Sequence, residues 1–147
     1  MWDLEAPPWR PFYQFSYPQA FTYGERKSSE RNIAYIRSQV VGRGDWPAVV
    51  PTQVVWGFRI ELRKARPQAE NHKKGFDLDN AAKAPVDAFC RGLIERHDPL
   101  RERPEWRPLA LFEDDHIGQV GMLQLQGRWA PPSEGSETKV SIYYRPA

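Results

Sequence analysis

This chain of 147 residues has one cysteine, no long apolar run and a net charge of only +2. The single cysteine, Cys90, excludes an internal disulfide framework and a cysteine-built zinc site, and it suits a reducing compartment. No apolar run approaches the ~20 residues needed to cross a bilayer. The first residues carry acids where a signal peptide needs positive charge. We therefore expect a cytoplasmic protein without a membrane segment.

The composition indicates one folded unit. Its 40% hydrophobic residues are enough for a core, and the length fits one domain, so we expect a single domain over residues 1–147. The net charge of +2 conceals a bias, since 15 of the 21 basic residues are arginines. Arginine is favoured over lysine where planar phosphate or carboxylate groups are recognised.

The charged residues are segregated along the chain. The basic cluster before the central acids comprises Arg59, Arg63, Lys64, Arg66, Lys73 and Lys74. Two aspartates follow it, and an acidic triplet comes later at residues 113–115. Acids in a basic surround are typical of a metal-dependent nucleic-acid enzyme. A solvated surface of mixed charge is the alternative.

The first half of the chain predicts one strand and one helix behind an unusual N-terminus. Residues 1–24 are rich in aromatic residues and proline, which favours an extended arm or an edge strand. Apolar residues at helical spacing predict a helix from Ser28 or Ser29 to about Val41. Strict alternation over Thr52–Lys64 predicts a strand.

The second half predicts one long helix and two strands. A helix capped by Asp79 or Asn80 should bury one continuous stripe, formed by Ala82, Val86, Phe89, Cys90, Leu93 and Ile94. Strands are expected over 117–126 and 138–145, paired with each other. These elements predict a small α/β (α+β) domain in which two helices pack on a mixed β-sheet.

Two carboxylates, Asp77 and Asp79, stand two residues apart at the predicted helix start. Close like charges are costly unless a cation lies between them, and Mg²⁺ takes such oxygen ligands. Asp79, Lys83 and Asp87 follow at four-residue spacing, so Lys83 would stand one turn above the metal and could meet a bound phosphate. Helix capping by the aspartates, without a metal, is the alternative.

A second acidic segment, Glu113-Asp114-Asp115, lies between an apolar run and a predicted strand. A third carboxylate brought back by the fold would complete a metal site that two aspartates alone leave weak. A solvated turn is the alternative. Cys90, on the apolar helix stripe, is expected in the core.

The pattern DxDN-x₂-K-x₃-D followed by an acidic pair resembles the RusA-type Holliday-junction resolvases. It stands here as Asp77-Leu78-Asp79-Asn80, Lys83 and Asp87, followed by Asp114-Asp115-His116-Ile117. The resemblance covers roughly residues 52–126. It implies a Mg²⁺-dependent endodeoxyribonuclease, with Mn²⁺ as a substitute and no organic cofactor.

The same resemblance implies residue roles. Asp77, Asp79 and Asp115 would be the metal-site carboxylates, and Lys83 the essential lysine. The family is homodimeric, with a small mixed α/β fold and one active site per subunit, and it makes paired nicks across a four-way junction in DNA recombination and repair. We expect Arg63, Lys73 and Lys74 to grip the DNA backbone without reading its sequence.

Some features depart from the family. Pro85 inside the predicted helix should kink it or loosen its first turn. The connection over 97–108 is longer than usual, and the N-terminal arm is aromatic where the family opens with basic residues. A junction- or duplex-binding protein with impaired catalysis is therefore one alternative. A metal-stabilised interaction protein without a nucleic-acid role is another.

Overall fold

The computed structural model describes residues 3–21, 26–66, 78–114 and 118–147, without the side chains of 26–28 and 78–80. Within them the chain forms a small single-domain α+β fold with a four-stranded mixed sheet. The elements in chain order are β1 (Arg10–Tyr17), α1 (Arg26–Arg43), β2 (Val54–Ala65), α2 (Leu78–Asp87), α3 (Arg91–His97), a 3₁₀ turn (Pro104–Leu109), β3 (Val120–Ala130), a second 3₁₀ turn (Pro132–Glu134) and β4 (Glu137–Pro146).

The sheet has the strand order β1-β4-β2-β3. β4 pairs antiparallel with β1 and β2, whereas β2 and β3 run parallel. The predicted alternation in β2 is confirmed, because Trp56, Phe58, Ile60 and Leu62 are buried. The edge strand expected within residues 1–24 is also present, as β1, and it contributes Phe15 to the core.

The predicted pairing of the last two strands with each other is wrong. β2 lies between β3 and β4. β4 is buried on both faces, with Val140 and Ile142 on one side and Ser141 and Tyr143 on the other, so it belongs inside the sheet. β3 exposes residues such as Leu123, which is 48% exposed, and it occupies an edge.

The first helix is confirmed, but it begins and ends slightly outside its predicted bounds. α1 ends at Arg43, and Gly44 follows in the left-handed region at φ +70°, where glycine is favoured. Ile33, Ile36 and Val40 form its buried stripe.

Within the described part of the chain, no helix is both long and apolar enough to cross a membrane.

The second predicted helix is two helices, so the expected continuous helix is wrong. α2 continues past Pro85, and the break comes later, between Asp87 and Arg91. Cys90 is extended there and forms a parallel bridge with Phe112. The residues of the expected stripe are buried or half-buried all the same, because α2, the turn and α3 face the same core.

The chain before β1 crosses the outer face of the sheet, opposite the helices. Leu4 is 1% exposed and packs on Gly57, where an added Cβ would lie 2.6 Å from the Leu4 Cδ2 atom and 2.9 Å from the Trp9 ring. Glu5 accepts a hydrogen bond from Arg59 at 2.5 Å. Glycine at position 57 therefore makes room for this segment.

Arg37 of α1 is fully buried and ties three elements together. Its Nε donates to the carbonyl of Ala88 at 2.9 Å, and its Nη2 to the carbonyl of Asp87 at 3.5 Å. Its Nη1 lies 3.1 Å from Nδ1 of His97, and the guanidinium stacks 4.9 Å from the centre of the Trp106 ring. Burial lowers the pKa of Arg37 to about 10, so it remains protonated at neutral pH.

We predict that Arg37→Leu destabilises the fold by about 2–3 kcal/mol, because the carbonyls of Asp87 and Ala88 lose a charged donor in a buried place. Arg31→Leu is the matched control on the exposed side of α1 and should change stability by at most about 0.5 kcal/mol. Urea unfolding monitored by circular dichroism measures both. Equal effects of the two substitutions would contradict the role given to Arg37.

Candidate active site

Leu78, Asp79 and Asn80 of the DxDN motif form the beginning of α2. Asp79 belongs to the first turn of this helix, which includes Leu78 and so begins just before the predicted cap. Lys83 is exposed, and the helical spacing puts it on the same face as Asp79 and Asp87. The helix passes through Pro85, so Lys83 lies in helical backbone, one turn from each aspartate.

Several predicted site residues lie outside the described part of the chain. They are Asp77, Asp115, Lys73 and Lys74. The side chain of Asp79 is likewise outside it. Their proposed roles remain predictions from the sequence.

The second acidic segment returns to the end of α2. The N–H of Arg91 donates to the carbonyl of Phe112 at 2.8 Å, and the N–H of Leu111 donates to the carbonyl of Phe89 at 2.9 Å. Residues 91–111 therefore form an excursion whose two ends meet. Glu113 consequently follows the end of α2 closely in space, although more than twenty residues separate them in sequence.

Side chains hold the acidic segment in place. Oε1 of Gln119 accepts from the N–H of Glu113 at 2.5 Å and from the N–H of Asp114 at 3.3 Å. The Cys90 thiol donates to the carbonyl of Glu113 at 3.3 Å, and Arg91 forms an ion pair with the Glu113 carboxylate at 2.7 Å. The backbone leading into the acidic pair is thus fixed from three sides.

The thiol of Cys90 lies where the end of α2 meets the acidic segment. Burial raises the pKa of the Cys90 thiol; backbone N–H groups of Leu93 and Gly92 oppose this rise, and the charges of Asp87 and Asp114 add to it. Asp87 belongs to the end of α2 and Asp114 to the returning segment. The hydrogen bond of the Cys90 thiol to Glu113 and the bridge of Cys90 to Phe112 bring the acidic segment to the C-terminal end of α2, and the thiol is buried as predicted.

The donor chemistry of the predicted ligands suits a hard cation. Carboxylate oxygens are the ligands that Mg²⁺ prefers. Among residues 3–21, 26–66, 78–114 and 118–147, no three acidic, histidine or cysteine side chains are grouped closely enough to hold a metal. None of the three predicted ligand side chains belongs to the described part of the chain, so the fit to Mg²⁺ depends on the carboxylate character of the set.

Arg63 lies away from this region. It belongs to the outer face of β2, because its neighbour Leu62 faces the core. Its Nε donates to the carbonyl of Gly135 at 3.2 Å and lies 3.7 Å from the Glu134 carboxylate. The structure therefore does not bring Arg63 together with Lys83, and a contact of Arg63 with DNA would involve the other side of the sheet.

The sequence analysis did not identify Arg37 and Gln119, which hold the elements around the site in position. Arg37 stands on the apolar stripe of α1, four residues after Ile33 and three before Val40, and a charge at that position was a signal of burial with partners. Gln119 had no comparable signal, because its acceptor role depends on a turn that the sequence does not reveal.

Comparisons of the chain with family models, curated proteins and solved structures yielded no match. The interpretation of the site therefore depends on the residue pattern and on the contacts described above.

We predict that Gln119→Ala loosens the acidic segment, because the amides of Glu113 and Asp114 lose their acceptor. Since Cys90 is covered by this segment, its reaction with a thiol reagent should accelerate about ten-fold, the factor expected for roughly 1.4 kcal/mol of lost hydrogen bonding. Gln126→Ala, at an exposed position of β3, should leave the rate unchanged. An unchanged rate in Gln119→Ala would contradict the role of Gln119 in holding the acidic segment.

Proposed function

We propose that this protein is a Mg²⁺-dependent, structure-selective DNA endonuclease of the RusA type that resolves four-way junctions by paired nicks. One observation carries the proposal beyond the residue pattern. The acidic segment returns to the end of the helix that bears Asp79 and Lys83, through the bridge between Cys90 and Phe112. The return brings the second motif to the C-terminal end of the helix whose first turn carries the first motif, about 12 Å along the axis from Asp79.

Each site residue has a distinct role in the proposed reaction. Asp77, Asp79 and Asp115 would hold Mg²⁺, which when bound supplies Lewis-acid stabilisation of phosphoryl charge. Water attacks the phosphorus in line with the leaving 3′ oxygen, and the P–O3′ bond breaks to leave a 5′-phosphate and a 3′-hydroxyl. Lys83 donates to a non-bridging phosphate oxygen as negative charge develops on it.

The proposed active form is a homodimer, because paired nicks need two active sites. The edge strand β3 offers apolar surface to a second copy, since Leu123 is 48% and Trp129 40% exposed. Both residues lie on the face of the sheet that carries the helices, in register with Phe58 and Lys64 of β2. A symmetric partner would remove this surface from water.

We predict that the protein cleaves a labelled synthetic four-way junction only with Mg²⁺, and that Asp79→Asn abolishes cleavage while junction binding is retained. Loss of one ligand carboxylate removes the metal but not the DNA contacts. Asp3→Asn, at an exposed position outside the site, should cleave normally. Gel analysis of the nicked products measures cleavage. Junction binding by the wild type without cleavage would favour the catalytically impaired alternative.

We predict a different result for Lys83. Because its ammonium would contact the scissile phosphate, Lys83→Ala should lower the single-turnover rate by about 10²-fold or more, with little change in binding. The matched double variant Lys73→Ala, Lys74→Ala should weaken binding and lower its salt dependence by about two released ions, with near-normal cleavage once bound. Loss of affinity alone in Lys83→Ala would exclude its catalytic role.

A further inference from the structure

The excursion between Arg91 and Leu111 contains a groove that the proposed cleavage reaction does not use. It encloses about 290 Å³ between α3 and the 3₁₀ turn Pro104–Leu109. Three arginines line it, Arg91, Arg101 and Arg107. Arginine is always charged, and its planar fork fits the oxygens of a phosphate.

Arg101 occupies the groove at a cost in backbone energy. Its φ is +55°, a left-handed conformation that non-glycine residues adopt rarely. Asp98 imposes this turn, because its carboxylate accepts from the N–H groups of Glu102 at 2.8 Å and Arg103 at 3.0 Å, and its carbonyl accepts from the N–H of Arg101 at 3.1 Å. Strained residues held by their surroundings are concentrated at functional sites.

Three arginines and two acids, Glu95 and Asp98, line the groove, so its lining keeps a small excess of positive charge. Both carboxylate oxygens of Asp98 are engaged by backbone N–H groups, and Arg91 is paired with Glu113. Glu95 also lines the groove. Arg101 and the Arg107 side chain form no ion pair with any residue that the structure describes. An anion entering the groove would meet these two guanidinium groups without first displacing a carboxylate.

The groove is built on a fixed support. Trp106, in the 3₁₀ turn just before Arg107, is only 6% exposed. The guanidinium groups of Arg37 and Arg103 lie 4.9 Å and 5.4 Å from the centre of its ring. Ile94 of α3 is buried beneath the groove. The arginines therefore project from anchored elements, which lowers the entropy lost when a ligand orders them.

We propose that this groove binds a backbone phosphate of the DNA substrate, an inference that rests on the function proposed above. The ion pair of Arg91 with Glu113 joins the groove to the acidic segment, so a strand that passes the acids can continue into it. The groove belongs to the part of the chain that is longer than in the RusA-type family. It adds a phosphate contact that the DxDN site lacks.

The test compares two charge-matched double variants in junction binding without Mg²⁺, measured by fluorescence anisotropy at several salt concentrations. Arg101→Gln with Arg107→Gln removes two cations from the groove. Arg10→Gln with Arg31→Gln removes two exposed cations on β1 and α1, away from the groove. The groove variant should bind about ten-fold or more weakly, with a salt dependence lower by about two ions, and the control should bind nearly as the wild type does. Equal urea midpoints establish that both variants are folded.

A second measurement separates DNA from a free anion. Inorganic phosphate should shift the amide resonances around Arg101 in the wild type and not in the groove variant. Phosphate shifts combined with unchanged junction binding in the groove variant would overturn the DNA assignment. Equal loss of binding in both double variants would contradict the proposal that the groove binds a phosphate.

The outcome is independent of cleavage. If the wild type failed to cleave with Mg²⁺ while the groove variant alone lost binding, the proposed nuclease function would fall and the phosphate groove would stand.

Discussion

The burial of one guanidinium organises the helical side of this fold. Arg37 reaches from α1 to the carbonyls at the end of α2, to His97 at the end of α3 and to the ring of Trp106. A charge this deep is tolerated only when its donors are used, and carbonyls at a helix end, where the dipole is negative, are suitable acceptors. Arg37 therefore satisfies the two carbonyls at which α2 ends and the excursion begins.

The position of the acidic segment follows from that termination. Because α2 stops before Cys90, the extended backbone there is able to bridge to Phe112, and Gln119 then holds the next two amides. The excursion over residues 91–111 can therefore be long without displacing Glu113 and Asp114, because hydrogen bonds hold its two ends together. The same excursion supplies the three arginines that line the groove. The proposed site and the proposed phosphate groove are two consequences of one chain path.

Local patterns in the sequence were sufficient for most elements and insufficient for their arrangement. The alternation of β2 and the apolar stripe of α1 predicted both elements, because each reports burial against one core. The break after Asp87 was missed because it depends on the distant partner Phe112. The strand order was missed because burial on both faces of β4 results from its neighbours. For the site, only the helix bearing Asp79 and Lys83 could be predicted and then located.

Paramagnetic broadening by Mn²⁺ tests most directly whether the two acidic motifs form the proposed single metal site. At substoichiometric Mn²⁺, the amide resonances of Asp79 to Lys83 and those of Glu113 and Asp114 should broaden together, because one ion lies near both. Asp79→Asn should abolish both effects. Broadening at only one of the two segments, or at neither, would contradict a shared site.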